Sequence, residues 1–371
     1  MTNPPSIAIV GGGLSGLYAA YLLHQKAIPF TVYEARNRLG GRINTHAVPQ
    51  QSHHQYQRYD LGPTWFWPEM HPHMQQLISQ LSLTAFPQYH QGSYLFDRGH
   101  HQPPQHYPAG MTTSPVAMRL AGGLSSLIDA LQLPLPKQSL YYQHRLSRLT
   151  QQDNGKITVT FITADGTIDL SYDKVIIAIP PALFNQNVTV SPSLSPHCQQ
   201  YCEHTPTWMA AHAKFIAIYS SPFWRESGLS GSASSQVGPL AEIHDAGAYQ
   251  GMAALFGFFG INAAARKTAG HQALTNTALE QLARLFGEAA RQPVDTAIMD
   301  WSQESMTASK RDLYPPTQHP HYGLSDKEVS QWQQRLFFAG SETDTTAGGY
   351  LEGALNAALR VVKHLSNTDD C

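Results

Sequence analysis

The feature that most constrains this chain is a glycine-rich turn that follows a short apolar run near the N-terminus. The run Ile7–Val10 leads into a Gly-x-Gly-x-x-Gly pattern at Gly11, Gly13 and Gly16, and residues 17–23 then have helical spacing. This order predicts a strand, a tight turn and a helix. Gly11 permits the turn, Gly13 lets a pyrophosphate approach the backbone, and Gly16 lets helix and strand pack closely. Because a helix N-terminus also favours phosphate, the segment predicts a dinucleotide site.

A carboxylate at the end of the next apolar run supports this interpretation. Residues 30–33 are typical of a second strand, and Glu34 follows them about twenty residues after the glycines. A carboxylate in this place accepts hydrogen bonds from a ribose 2′-hydroxyl and repels a 2′-phosphate, which argues against NADP. The alternative is an ordinary solvated acid at a strand end.

The segment that follows distinguishes between cofactors. Residues 34–42, with the sequence EARNRLGGR, resemble the segment after the second strand in flavin-containing amine oxidases and their relatives, the phytoene desaturases and protoporphyrinogen oxidases. The resemblance implies FAD. It also implies that Gly40 and Gly41 let the chain pass the pyrophosphate and that Arg42 donates to it. The alternative is a basic surface turn with two glycines.

Two further segments are similar to the same family. Residues 59–67 match a strand and turn that pass beneath the flavin ring. Trp65 is also a candidate catalytic residue. Of the three aromatic residues Trp65, Phe66 and Trp67, at least one is expected only to fill the core. Residues 335–355 match the family's C-terminal flavin motif. There Glu342 would bind the ribityl–phosphate end of FAD. The helix that begins near Gly349 would direct backbone N–H groups to flavin N1 and C2=O.

Taken together, the resemblance implies a set of FAD contacts that is spread over the whole chain. These predicted contacts are Gly11, Gly13, Leu14, Ser15, Gly16, Glu34, Ala35, Arg36, Gly40, Gly41, Arg42, Gly62, Pro63, Thr64, Trp65, Leu146, Ala178, Pro180, Trp301, Gly340, Ser341, Glu342, Gly349, Tyr350 and Leu351.

The same resemblance implies an α/β fold with two discontinuous domains. The first is a Rossmann-type FAD-binding domain (GR2-like, a parallel sheet with a β-meander), and the second is an inserted α+β substrate domain. The FAD-binding domain is predicted to comprise residues 1–83, 117–185 and 301–371. The substrate domain is predicted to comprise residues 84–116 and 186–300.

The chain departs from the family at the positions that surround the reacting groups. Residues 302–314 contain no cysteine, where monoamine oxidases attach the flavin covalently, so the FAD is expected to be non-covalent. Lys310 falls where the family has one aromatic wall of the amine cage, and Tyr350 matches the other wall. For the lysine that holds a water against flavin N5, Lys267 is the first candidate and Lys214 the second. Lys267 is equally well explained as a solvated helix residue.

The implied function is a FAD-dependent oxidase that takes hydride from an amine C–H to flavin N5 and releases H2O2 after reaction with O2. One alternative is an L-amino acid oxidase, which needs an arginine in the pocket; Arg119, Arg225 and Arg311 are the candidates. A desaturase or dehydrogenase of the same superfamily and a FAD-binding protein without turnover also remain open.

Composition excludes several other classes of function. The net charge is −2 and charged residues are 13% of the chain, which gives no electrostatic footprint for nucleic acid or an anionic membrane. No apolar run approaches the ~18 residues of a membrane-spanning helix, and residues 1–6 have no basic region or cleavage pattern of a signal peptide. We therefore expect a soluble, cytoplasmic protein.

No metal is expected, since the three cysteines lack zinc-site spacing and the histidine pairs at 53–54, 71–73 and 100–101 are typical of solvated loops.

Overall fold

The computed structural model describes residues 5–49, 56–108 and 115–367. Within these ranges the helices are α1 (Leu14–Gln25), α2 (Pro72–Gln80), α3 (Ser125–Gln132), α4 (Pro181–Asn187), α5 (Pro196–His204), α6 (Phe223–Glu226), α7 (Ala263–Ala269), α8 (His271–Phe286), α9 (Asp326–Val329) and α10 (Leu351–Asn367).

The strands of the same ranges are β1 (Ile7–Val10), β2 (Phe30–Tyr33), β3 (Thr45–Pro49), β4 (Tyr56–Asp60), β5 (Ala85–Pro87), β6 (Ser93–Asp97), β7 (Gln105–Tyr107), β8 (Met118–Leu120), β9 (Leu140–Tyr141), β10 (Arg145–Gln151), β11 (Ile157–Thr163), β12 (Gly166–Tyr172), β13 (Lys174–Ile177), β14 (Thr189–Ser191), β15 (Ala213–Tyr219), β16 (Leu229–Ser235), β17 (Leu240–Asp245), β18 (Ala253–Phe259), β19 (Asp295–Asp300), β20 (Ser330–Gln331) and β21 (Leu336–Phe338).

A six-stranded sheet in the order β20-β21-β13-β1-β2-β9 organises the dinucleotide-binding part. Its strands from β21 to β9 are parallel, and β20 is antiparallel to β21. The central strand β1 is apolar and buried at every position, as expected for a parallel strand that is covered on both faces. The prediction of a Rossmann-type α/β fold is therefore confirmed.

Different layers cover the two faces of this sheet. Helices α1 and α10 pack on one face, where Leu17, Leu23, Leu355 and Val361 belong to one apolar core. The other face is covered by an antiparallel meander of β10, β11 and β12, which contributes Phe161 to a second core. The meander turns after β10 at Asn154 and Gly155. Its hairpins supply the β-meander that the sequence predicted beside the parallel sheet.

A seven-stranded sheet in the order β19-β15-β18-β17-β16-β6-β7 forms the second large layer. Helix α8 covers one of its faces, and this core contains Phe215, Leu255 and Leu282. The opposite face carries Phe256 and Ile216 and packs toward β4. Both predicted substrate segments contribute strands to this sheet, whereas the domain boundaries themselves stay a prediction. Among the helices of the described ranges, none is both long and apolar enough to cross a membrane.

Candidate active site

A cavity of about 400 Å³ lies where the carboxyl ends of the parallel strands approach the seven-stranded sheet. In parallel α/β sheets this edge is the usual place for ligands, because helix N-termini and loops converge there. The residues that were predicted to contact the cofactor all line this cavity, with the exception of Gly16. Their contacts with a bound cofactor stay a prediction.

The three glycines of the first turn have different surroundings. Gly11 has a φ of +109°, a conformation that favours glycine, and a Cβ there would lie 2.7 Å from the carbonyl oxygen of Ala178. Gly13 borders the cavity, and a Cβ there would meet no atom closer than 3.9 Å. A Cβ on Gly16 would lie 1.9 Å from the carbonyl oxygen of Gly11, so this glycine permits packing without lining the cavity.

Glu34 is fixed by two backbone donors at the end of β2. Its Oε2 accepts a hydrogen bond of 2.8 Å from the amide of Gly12, and its Oε1 accepts one of 2.8 Å from the amide of Arg36. The carboxylate is 3% exposed and lines the cavity. Because an ionised carboxylate has about four acceptor positions, Glu34 retains capacity for a ribose hydroxyl.

A charged pair joins the first and last segments at the cavity wall. The Arg42 Nη1 atom lies 2.7 Å from Glu342 Oε1, and Arg42 Nη2 donates to Ser341 Oγ at 2.8 Å. Glu342 is fully buried, whereas the Arg42 side chain is about a quarter exposed and borders the cavity. The guanidinium is thus held in place beside the space that a pyrophosphate requires.

The turn before α10 brings backbone directly to the cavity. Gly349 has a φ of +82°, and a Cβ there would lie 2.8 Å from the Cβ of Trp208. Helix α10 begins at Leu351, and both Leu351 and Ala354 line the cavity. The first N–H groups of a helix have no partner within it, so this end presents donors for the electron-rich edge of a bound ring.

The buried lysine of the site is Lys214, and the prediction of Lys267 was wrong. Lys267 lies on the exposed side of α7 and does not line the cavity. Lys214 lies on β15, which is buried at all seven positions. Its Nζ donates to the carbonyl oxygen of Gly62 at 3.1 Å and to the hydroxyl of Thr64. The ring of Phe256 lies 4.0 Å from Nζ.

Burial changes the protonation of Lys214 and of the nearby Asp60. Loss of solvation lowers the pKa of Lys214 from 10.5 to about 7, although the charge of Asp60 opposes this shift. Loss of solvation also raises the pKa of Asp60 to about 6, against the attraction of Lys214 and Arg119. A lysine with a pKa near neutrality can bind and release a proton under ordinary conditions, which is typical of functional sites.

Aromatic side chains line the part of the cavity beyond α10. Tyr350 and Trp65 line it as predicted, and Trp65 donates through Nε1 to Gln88 at 2.8 Å. Lys310 is exposed and forms no wall. The ring that stacks on Tyr350 belongs to His319, with centroids 5.0 Å apart.

Sequence reasoning missed several residues of this wall. His71, which was expected to be a solvated loop residue, is 4% exposed, lines the cavity and immediately precedes α2. Trp208, Glu242 and Phe258 also line the cavity. The neighbouring pair His53 and His54 lies outside the described residues. No group of three or more histidine, cysteine, aspartate or glutamate side chains in the described ranges is placed to hold a metal.

These observations define a class of protein. The open backbone at Gly13, the fixed carboxylate of Glu34, the guanidinium of Arg42 and the helix end at Leu351 fit the adenosine, pyrophosphate and ring portions of a dinucleotide. The cavity then extends past this groove to a buried lysine. The fold and site are those of a FAD-dependent oxidoreductase whose second part is a seven-stranded sheet with helix α8 on one face.

Comparisons with known proteins identify the family. Residues 109–366 match the family model "Flavin containing amine oxidoreductase", and residues 9–81 match "NAD(P)-binding Rossmann-like domain". The chain belongs to the flavin-containing amine oxidoreductase family.

Curated relatives and solved structures are similar over almost the whole chain. A probable flavin-containing monoamine oxidase A of Dictyostelium discoideum is 22% identical, with 99% of this chain and 98% of the relative covered. The flavin-containing amine oxidase B of Homo sapiens is 25% identical, with 98% of this chain and 86% of the relative covered. A structure of putrescine oxidase bound to putrescine superposes with a TM-score of 0.78 at 19% identity, and the match covers 99% of this chain and 100% of that structure. Cyclohexylamine oxidase from Brevibacterium oxydans superposes with a TM-score of 0.78 at 18% sequence identity, and the match covers 99% of this chain and 100% of that structure.

Proposed function

We propose that this protein oxidises amines with O2 and releases hydrogen peroxide. For a primary amine the balanced reaction is R–CH2–NH2 + O2 + H2O → R–CHO + NH3 + H2O2. Bound FAD would supply the acceptor for the two electrons and the hydrogen that leave the C–H bond, and would pass the electrons to O2. We further propose that the FAD is held without a covalent bond.

The observation that carries this proposal is the environment of Lys214. When the amine of Lys214 is neutral, its two hydrogens are satisfied by Gly62 and Thr64, which leaves the lone pair as an acceptor. The lone pair can hold a water or accept a proton from an incoming ammonium group. Since only a neutral amine has a free electron pair on nitrogen, a base at this place favours the reactive form of the substrate.

The aromatic wall would orient the substrate beside this lysine. Tyr350 and Trp65 line the cavity, and the ring of Phe256 contacts the Lys214 amino group. These surfaces exclude water and restrict the substrate to a few orientations, which is the main contribution that a protein makes in a cofactor enzyme.

The test is a screen of amines for peroxide release by the holoenzyme in air, with Lys214→Met as the comparison. We expect turnover of at least one amine and a loss of at least about tenfold in kcat/KM in the variant, or about 1.4 kcal/mol of transition-state stabilisation. A screen without peroxide from any amine would contradict the proposal.

The structure does not favour the L-amino acid oxidase alternative. The three arginines considered for a substrate carboxylate do not line the cavity. Arg119 donates to the carbonyl oxygens of Ala246 and Gly247, and Arg225 pairs with Asp245. Arg311 is exposed and pairs with Glu203. The arginines that line the cavity among the described residues are Arg36, Arg42 and Arg145, and the first two belong to the predicted FAD contacts.

Two alternatives are separated by the fate of reduced enzyme. Anaerobic photoreduction followed by timed exposure to air would give rapid reoxidation for an oxidase and slow reoxidation for a desaturase or dehydrogenase. A FAD-binding protein without turnover would be reduced by light but by none of the substrates in the screen. The cytoplasmic location stays a prediction, and fractionation of cells would test it.

A further inference from the structure

A carboxylate lies in one row with the lysine of the site. Strand β18 pairs with β15 on one side and β17 on the other, and Phe258 is opposite both Lys214 and Glu242. Directly paired residues project from the same face of a sheet. The three side chains therefore form a row across three strands, and all three line the cavity. Two strand spacings separate Lys214 from Glu242, or about 10 Å between their Cα atoms.

A β-bulge is what brings Glu242 to this face. The pairing of β17 with β18 shifts between Leu240 and Glu242, so that Ala241 is an extra residue. Leu240 and Ile243 both belong to the core beneath α8, although they are three positions apart. With regular alternation Glu242 would project into that core together with Leu240. The bulge instead directs Glu242 into the cavity.

Glu242 differs from the other carboxylates of the cavity. Among the described lining residues there are three glutamates, and two of them are occupied by fixed partners: Glu34 by backbone amides and Glu342 by Arg42. Glu242 has no arginine or lysine partner in the ion pairs of the described residues. Its Oε1 accepts a hydrogen bond of 2.6 Å from His244 Nε2, which lowers the pKa of Glu242. Its side chain is about half exposed, so it remains accessible to a ligand.

The surface between the lysine and the carboxylate is aromatic. Phe258 separates the two in the row, and Phe256 lies on the same face two residues earlier along β18. Trp65 packs against Phe256 and His244, with ring centroids 5.3 Å and 4.8 Å apart. A flexible aliphatic chain fits such a surface, and aromatic faces tolerate a nearby cation.

We propose that Glu242 binds a second cationic group of the substrate, so that the enzyme prefers an aliphatic diamine or polyamine over a monoamine of equal length. This inference rests on the proposed amine oxidase function. One amine would react near Lys214, the aliphatic chain would lie along Phe258, and the distal ammonium would meet the Glu242 carboxylate at the mouth of the cavity. The charge-assisted hydrogen bond would form in both the bound substrate and the transition state.

The experiment compares pairs of substrates on the holoenzyme. Peroxide release is measured with pentylamine and 1,5-diaminopentane, and with butylamine and 1,4-diaminobutane, for the wild type and Glu242→Gln. Glutamine keeps the shape and can still accept from His244, so the variant removes only the charge. We expect the wild type to favour the diamine by about tenfold or more in kcat/KM, mainly through KM, and the variant to lose this preference.

Two further variants separate a local contact from a general charge effect. Glu280→Gln removes an exposed carboxylate from α8, outside the cavity, and should leave the preference unchanged. Glu242→Lys should reverse the preference, so that monoamines become the better substrates, because like charges repel. FAD content and Tm, measured for each variant, identify any loss that comes from misfolding.

The outcomes distinguish this inference from the function on which it rests. A diamine preference that survives in Glu242→Gln, or a wild type that oxidises both members of each pair equally, overturns the inference and leaves the oxidase function intact. A wild type that oxidises no amine contradicts the oxidase function, and the inference falls with it.

Discussion

The Arg42 guanidinium and the Glu342 carboxylate form an ion pair of 2.7 Å between residues that are 300 positions apart in the chain. The pair closes the FAD-binding part, since it ties the loop after β2 to the segment after β21. A fully buried carboxylate requires such a partner, because an unpaired buried charge is strongly destabilising. The pair therefore holds the cavity wall and fixes the Arg42 guanidinium beside the cavity.

This relationship predicts that either partner controls FAD affinity. Glu342→Gln and Arg42→Ala should each raise the Kd for FAD by about tenfold or more, because each removes a charge-assisted hydrogen bond of about 1.5–3 kcal/mol. Titration of apoprotein with FAD, followed by flavin fluorescence, measures the change. Arg58→Ala is the matched control, since Arg58 pairs with Asp129 at the surface. Full flavin content with an unchanged Kd in both cavity variants would disprove the role.

A second prediction concerns the stability of the protein against pH. Burial lowers the pKa of Lys214 in the folded protein to about 7, from the ordinary value of 10.5 that applies to the unfolded chain. Between these values the unfolded chain binds more protons, so the free energy of unfolding should rise with pH by up to about 1.4 kcal/mol per unit. Lys214→Met should lack this rise. Urea unfolding of both proteins between pH 7 and 10 measures the difference in slope, and equal slopes would contradict the buried lysine.

Asp60 has the opposite effect at lower pH. Its pKa is raised from 3.8 to about 6, so the folded protein binds the extra proton between these values. The free energy of unfolding should therefore fall as the pH rises from 4 to 6. Asp60→Asn should remove this fall, and an unchanged pH dependence in the same unfolding assay would count against the raised pKa.

Tyr350 is predicted to be a wall of the substrate site. Its ring lines the cavity, stacks on His319 and is 37% exposed, so it is not part of an apolar core. Tyr350→Leu should lower kcat/KM by at least about tenfold, or about 1.4 kcal/mol, while FAD content and Tm remain close to the wild type. Tyr350→Phe, which keeps the ring, is the control. A fall of several degrees in Tm with normal kcat/KM would indicate a packing role.

The proposal that FAD is held without a covalent bond can be checked directly. The described cysteines, Cys198 and Cys202, are buried on α5 and do not line the cavity, while Cys371 lies outside the described residues. Precipitation of the holoenzyme with acid should leave a colourless pellet and a yellow supernatant. A yellow pellet would show a covalent bond to another side chain.

The sequence determined those parts of the protein in which chemistry depends on local order. The glycines at 11, 13 and 16 and the acid at 34 each act within one turn or strand end, so their spacing predicted a dinucleotide site. The family resemblance of the segments around them and of residues 335–355 added the fold. Of these positions, Gly11, Gly13, Glu34, Glu342, Gly349, Tyr350 and Leu351 line the cavity. Adjacent residues in such segments have fixed relative positions because the backbone connects them directly.

Only the tertiary structure decided which side chains meet at the substrate end. Lys267 was placed before Lys214 because its local sequence resembles that of the family lysine, whereas the pairing of β15 with β18 places Lys214 beside the cavity. Glu242 reaches the same face through one extra residue at a bulge, and such a shift in register leaves no mark in composition or periodicity. The physical reason is that strand pairing joins residues distant in the chain, and its register follows from the packing of both faces of the sheet.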